Sequence, residues 1–178
     1  AGQRLTSLSD GKQPLFIWLI TLLMSITPNP LAAGRIVSVL TGFLTAIGLY
    51  FLALNLFKNI WIGILTICFY VVLPFALVYN RMALYESTSG MFLVWSLFIG
   101  TVLTNKLQLQ YAFILALVIG GGILTKSTGF LSIYLLPLLL FLLPITKTDR
   151  IQKLFTWVRY IVIAVGLSLL YYSILLLS

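Results

Sequence analysis

Long apolar runs separated by short polar breaks are the feature that most restricts the fold of this chain. Apolar residues make up 61% of the sequence and charged residues 8%, whereas a soluble domain carries roughly 25% charged residues. A run of about 20 apolar residues is long enough to cross the hydrocarbon core of a bilayer as an α-helix. The sequence therefore predicts an all-α polytopic integral membrane protein.

The positions of the breaks predict about six transmembrane helices behind one short helix. Residues 1–13 are polar and are expected to be the remnant of an outer-face loop. The short helix at residues 14–26 would be about 20 Å long, less than the ~30 Å of hydrocarbon, so it is expected to be interfacial or re-entrant. A single transmembrane domain then covers residues 31–178. Its spans are predicted at Leu31–Phe57, Ile60–Tyr79, Met82–Leu103, Leu109–Leu124, Phe130–Leu143 and Tyr160–Leu177, with a charged loop at Thr146–Arg159.

The charged residues predict an orientation in the membrane. The chain has 11 Lys and Arg against 3 Asp and Glu, a net charge of +8. Because the basic residues mostly end apolar runs, they indicate anchoring and contact with lipid phosphate rather than nucleic-acid binding. If each run crosses once, one side holds Lys58, Lys106, Lys147, Arg150, Lys153 and Arg159. The positive-inside tendency makes this the cytoplasmic side.

The opposite, outer side also carries many charges. It holds Arg4, Lys12, Arg35, Arg81 and Lys126 together with Asp10 and Glu86. The topology rule disfavours basic residues there, and an ion near hydrocarbon costs ~2 kcal/mol or more unless it is paired or near water. The outer side is therefore predicted to hold the functional site.

Each of these residues also has a purely structural explanation. Lys12 is compatible with a side chain that snorkels to the interface. Arg81 and Glu86 are five residues apart and are compatible with an ion pair or with one shared polar pocket. Lys126 is compatible with an ordinary loop lysine. Arg35 follows a helix start, where a cation is poorly placed, so a nearby anion is favoured.

The residue types also restrict the chemistry. The sequence has no histidine, and its one cysteine, Cys68, lies in an apolar run where packing explains it. Because histidine is the commonest metal ligand and the usual base near neutral pH, zinc chemistry is not expected. Acid–base work then falls to carboxylates.

Four segments resemble the polyprenyl-phosphate-dependent glycosyltransferases of the GT-C type. They are Asp10–Phe16, Ala33–Gly42, Tyr79–Glu86 and Leu124–Gly129, in that order along the chain. Within that type the chain is most similar to the protein O-mannosyltransferase and lipid A aminoarabinose transferase group, and the resemblance covers nearly the whole chain.

The resemblance implies a membrane enzyme that moves a sugar from a polyprenyl-phosphate donor to an acceptor on the extracytoplasmic face. The donor is a substrate, and no further cofactor is implied. The acceptor is a protein, a lipid or a glycan, and the expected location is the plasma (inner) membrane. The family's principal catalytic carboxylate belongs to an outer loop that would precede residue 1. The chain is therefore expected to be a fragment that is inactive alone.

The resemblance also implies residue roles. Lys12 matches a lysine near the lipid phosphate, within a Glu-Lys-Pro-Pro stretch from which Gly11 and Gln13 depart. The missing glutamate is a metal ligand in some relatives, so its loss, together with the absence of histidine, argues against a zinc site. Arg81 and Glu86 match the residues that open a helix facing the active-site cavity. The predicted phosphate-binding residues are Lys12, Arg81, Lys126 and Arg35. The predicted catalytic carboxylates are Glu86 and Asp10.

Two other classes stay open. A transporter or flippase-like subunit would also place charges in membrane helices, although the chain shows no convincing internal repeat. A structural subunit would need few polar groups on the outer side. Binding of a polyprenyl-phosphate sugar distinguishes the enzyme from both.

Overall fold

A computed structural model of the chain describes residues 14–143 and 150–177. Within these ranges the backbone forms α-helices and 3₁₀ turns and no strand, which confirms the predicted all-α fold. The helices are α1 (Leu15–Leu23), α2 (Pro30–Phe57), α3 (Ile60–Val72), α4 (Pro74–Arg81), α5 (Tyr85–Lys106), α6 (Leu109–Thr125), α7 (Leu131–Leu135) and α8 (Arg150–Leu177). 3₁₀ turns at Ser127–Phe130 and Leu136–Leu142 flank α7.

The six predicted apolar runs are all present as helical segments in the predicted order. By length and composition, α2, α5 and the Ile151–Ile174 part of α8 can each cross a membrane. The α3–α4 pair forms a possible fourth span that is bent by 64°. The helix α6 and the segment Ser127–Leu142 are apolar but shorter. The nine-residue α1 occupies the predicted short helix, and its position at the membrane surface stays a prediction.

Pro74 causes the bend between α3 and α4. Proline has no N–H to donate and disfavours the helical conformation of the residue before it. Leu73 accordingly adopts an extended conformation with ψ of 121°, which ends α3, and Pro74 opens α4. The bend directs α4 onto α2, where Asn80 packs on Gly42.

The last helix begins earlier than predicted. The stretch predicted as the charged loop Thr146–Arg159 is helical from Arg150 onward. No proline or glycine interrupts residues 150–159, and Trp157 is buried, with its Nε1 donating to Thr104 Oγ1 at 2.9 Å. Packing of the start of α8 against α5 therefore stabilises a helix there despite the charged residues.

The long helices pack side by side in the order α3, α2, α5, α6 and α8. Lipid leaves little hydrophobic force between helices, so their association depends on close packing, which small residues permit. A Cβ at Gly120 would lie 2.8 Å from Tyr171, and one at Gly100 would lie 2.5 Å from Leu139. The buried core lies between α5, α6, α8 and the 3₁₀ turn after α7. It includes Leu103, Leu115, Ile119, Ile123 and Leu136.

Alternating helix directions separate the charges into two ends. At one end Glu86 opens α5 and Lys126 follows α6. At the other end α2 finishes before Lys58 and α5 finishes at Lys106. The described residues of the predicted cytoplasmic group and those of the predicted outer group therefore lie at opposite ends of the bundle.

We expect Gly129→Ala to destabilise the fold, because a methyl group there would overlap the main chain of Gly122. Main-chain atoms cannot rotate away, so the loss in the free energy of unfolding should be about 3 kcal/mol, the upper end of ordinary overpacking. Thermal unfolding in detergent, followed by circular dichroism, measures it.

Gly166→Ala is the matched control, since a Cβ at Gly166 on α8 would meet nothing within 4 Å. It should leave stability unchanged or raise it by up to about 1 kcal/mol through helix propensity. Equal unfolding temperatures for the two variants would contradict the close packing of Gly129.

Candidate functional site

An ion pair between Glu86 and Lys126 is the centre of the candidate site. Lys126 Nζ donates to Glu86 Oε1 at 2.7 Å. The Lys126 side chain is 41% exposed and the Glu86 side chain 36% exposed, so the pair is accessible. Glu86 lies in the first turn of α5 and Lys126 directly follows α6. Each charge is therefore of the sign that its helix end attracts.

The turn after α6 positions Lys126. The Lys126 N–H donates to the Gly122 carbonyl at 3.2 Å, and the Gly129 N–H donates to the Lys126 carbonyl at 2.8 Å. Gly129 packs on the main chain of Gly122, which closes the turn. Thr128 Oγ1 lies 3.2 Å from Ser89 Oγ on α5, one turn beyond Glu86. The turn is thus attached to the helix that carries its ionic partner.

The second carboxylate oxygen of Glu86, Oε2, is buried, and no described residue donates a hydrogen bond to it. A buried acceptor left unsatisfied costs about 1–3 kcal/mol, more if charged. A hydroxyl or amine of a ligand that reaches this oxygen would recover that cost.

An apolar groove leads away from Glu86. Its volume is about 310 Å³, and it is bounded by α2, α3, α4 and α5. Along α5 it runs from Glu86 to Val94, about 12 Å at 1.5 Å per residue. Its apolar lining includes Leu49, Leu73, Phe75, Ala76 and Leu93. The groove therefore joins a carboxylate to an apolar channel.

A hydrogen-bonded network closes the polar side of this groove. Asn80 Nδ2 donates to Tyr70 OH at 3.1 Å, and Asn80 Oδ1 lies 2.8 Å from Ser87 Oγ. Ser87 Oγ also lies 2.8 Å from the Ser38 carbonyl and 3.0 Å from Thr41 Oγ1. Ser87 has one hydrogen to donate at a time. Ser87 therefore donates to either Asn80 Oδ1 or the Ser38 carbonyl at any one time, and the network links α2, α3, α4 and α5.

The structure brings together two of the predicted site residues, Glu86 and Lys126. Arg81 is exposed and lines a second pocket of about 200 Å³ with Val39 and Gly42. Asn80 lines both pockets, whereas Arg81 does not line the groove of Glu86. The ionic partner of Glu86 is thus Lys126, and the pocket that Arg81 and Glu86 were expected to share is divided at Asn80.

Arg35 is exposed on α2, and its neighbour Gly34 packs on Ala83 in the loop before α5. Within the described ranges, neither Arg35 nor Arg81 has a carboxylate partner. Asp10 and Lys12 lie outside the described residues, so their roles stay predictions. No group of three or more His, Cys, Asp or Glu side chains in the described parts is arranged to hold a metal ion.

Sequence reasoning missed Asn80, Ser87, Tyr70 and the hydroxyl residues of α2. A signal for the last was present, since Ser38, Thr41 and Thr45 recur at helical spacing within an apolar run. Such spacing places them on one helix face. That Asn80 and Ser87 meet this face depends on the bend at Pro74.

A charged pair beside an apolar groove suits a ligand with a polar head and an apolar tail. Membrane enzymes that act on lipid-linked substrates bind ligands of this class. The chain belongs to the dolichyl-phosphate-mannose-protein mannosyltransferase family, whose model matches residues 11–172. It is therefore a membrane glycosyltransferase of the GT-C type and is mannosyltransferase-like. No curated protein and no solved structure matches the chain.

We expect the Glu86–Lys126 pair to contribute little to stability. A pair this exposed is worth about 0.2–1 kcal/mol. A double-mutant cycle of Glu86→Gln, Lys126→Gln and the double variant, measured by thermal unfolding in detergent, should give a coupling free energy in that range. A coupling of several kcal/mol would mean that the pair is retained for folding and would remove the reason to regard it as a functional site.

Proposed function

We propose that this glycosyltransferase moves a sugar from a polyprenyl-phosphate donor to an acceptor on the extracytoplasmic side of the membrane. The observation that carries the proposal is the Glu86–Lys126 pair beside the apolar groove. The family's description names a dolichyl-phosphate mannose donor and a protein acceptor. The groove suits the apolar chain of a polyprenyl carrier, and the Lys126 ammonium group suits its phosphate.

Lys126 would stabilise the leaving phosphate. An ammonium group has three donors, and the contact with Glu86 Oε1 engages one of them. Negative charge develops on the polyprenyl phosphate as the bond from the sugar's anomeric carbon to the phosphate oxygen breaks. A cation placed there in advance lowers the energy of that transition state. Arg81, Arg35 and Lys12 are the further candidates for binding this phosphate.

Glu86 would orient the acceptor. Its buried Oε2, which no described residue contacts with a hydrogen bond, can accept one from the attacking hydroxyl or amine. As the acceptor atom bonds to the anomeric carbon, its proton passes to a carboxylate. Asp10 would assist this step, and we do not propose it as the base. The family's description names a protein acceptor, and the resemblance to the protein O-mannosyltransferases makes a side-chain hydroxyl of a protein the first acceptor to test.

The first described residues of the chain pack at the helix start that carries Glu86. Pro14 is buried, and Phe16 packs on Tyr85 with ring centroids 4.7 Å apart. Tyr85 is the neighbour of Glu86 in the sequence. Lys12 precedes Pro14 by two residues in the sequence, and it is proposed for the site on the family resemblance alone.

We expect Lys126→Gln and Glu86→Gln in the full-length protein to lower kcat with a polyprenyl-phosphate sugar by about 100-fold each, the usual effect of removing one transition-state partner. Lys12→Ala and Arg81→Ala should lower turnover as well. Radiolabelled sugar transfer in membranes measures these effects.

Lys153→Gln is the matched control, because it removes one positive charge from α8 at the opposite end of the bundle. It should retain parental turnover. Unchanged turnover in all four site variants would remove the site, and a parent protein that transfers no sugar from any donor would favour the transporter class.

Cysteine labelling tests the sidedness. In a Cys68→Ser background, Ser127→Cys should react with a membrane-impermeant maleimide in intact cells, since Ser127 is exposed beside Lys126. Gln110→Cys, exposed at the opposite end on α6, should react only after the membrane is permeabilised. The reverse pattern would place the site on the cytoplasmic side.

A further inference from the structure

Another cavity, distinct from the groove of Glu86 and from the pocket of Arg81, lies at the opposite end of the bundle from Glu86 and Lys126. The proposed reaction does not use it. Its volume is about 440 Å³, and α2 and α5 form its walls. Phe51, Leu54, Phe98 and Val102 supply the apolar lining, while Asn55, Asn105, Lys58 and Lys106 supply the polar lining.

Neutral partners hold both lysines at this cavity. Lys58 Nζ donates to Asn55 Oδ1 at 2.9 Å, and Lys106 Nζ donates to Tyr111 OH at 3.0 Å. The Asn55 amide in turn donates to Thr101 Oγ1 at 2.8 Å. None of these partners removes positive charge, and each ammonium group retains two further donors.

The charge at this end is uncompensated among the described residues. Their one acidic side chain, Glu86, is paired with Lys126 at the other end. The C-termini of α2 and α5 each carry about half a negative charge, but α3 and α6 begin within three residues of them and bring a similar positive charge. The helix dipoles therefore nearly cancel, and the two lysine charges remain.

We propose that this cavity binds an anionic glycerophospholipid of the leaflet that faces it. The phosphate would lie between Lys58 and Lys106, and an acyl chain would lie against Phe51, Phe98 and Val102. Basic pockets between membrane helices attract anionic head groups. Such a lipid would bridge α2 and α5 beside the Asn55–Thr101 hydrogen bond and the Phe51–Phe98 ring contact that join them at this end.

Native mass spectrometry of the purified full-length protein tests the proposal, with phosphatidylglycerol and phosphatidylcholine as probes. The protein should retain phosphatidylglycerol in preference to phosphatidylcholine. In Lys58→Gln/Lys106→Gln the affinity for phosphatidylglycerol should fall by about 30-fold, the effect of two cations at a membrane surface. Val102→Phe should also weaken binding, because it fills the apolar wall without changing charge.

Lys153→Gln/Arg159→Gln is the matched control. It removes the same charge from the first turns of α8, outside the cavity, and should retain binding within about twofold, since it leaves the site intact. Equal losses in the two double variants would show attraction by general charge and overturn the site. Equal retention of the two lipids, or displacement of phosphatidylglycerol by excess inorganic phosphate, would overturn the assignment of a phospholipid.

Discussion

Hydrogen bonds from Asn80 hold the bent helix α4 against the rest of the bundle, and the candidate groove depends on them. Asn80 reaches Tyr70 on α3 and Ser87 on α5, while its packing on α2 requires Gly42, where a Cβ would lie 2.5 Å from Asn80 Cγ. Helices in lipid gain little from apolar contact alone, so small residues and polar side chains set their positions. The groove walls and the separation of Arg81 from Glu86 both follow from this arrangement.

The two ends of the bundle use lysine in different ways. Lys126 is paired with a carboxylate, one oxygen of which has no partner among the described residues and lies beside an apolar groove. Among the same residues, the partners of Lys58 and Lys106 are neutral, which leaves net positive charge beside the cavity between α2 and α5. In the function that we propose, the first arrangement serves the transfer of the sugar, whereas in the lipid site that we propose, the second binds an anionic phospholipid. The partners of the lysines are the physical difference on which both proposals rest.

The apolar runs, the break at Pro74 and the division of charges between two ends were all predictable from residue order. The start of α8 was not, because the charged residues before Tyr160 suggested a loop, whereas Trp157 packs its ring against α5 and bonds to Thr104. The pairing of Glu86 was also outside the reach of sequence. Arg81 is five residues away along the chain and Lys126 is 40, yet Lys126 is the one that the fold brings within 2.7 Å.

The sequence by itself determined the membrane class, the helical fold and the resemblance to a glycosyltransferase family, because hydropathy, proline positions and local motifs are properties of neighbouring residues. Tertiary structure decided which charges meet, which polar groups are buried and where the cavities lie. Those outcomes depend on contacts between helices, such as Gly129 on Gly122 and Asn80 on Gly42. Close approach of this kind is a matter of shape between distant segments, and no local pattern specifies it.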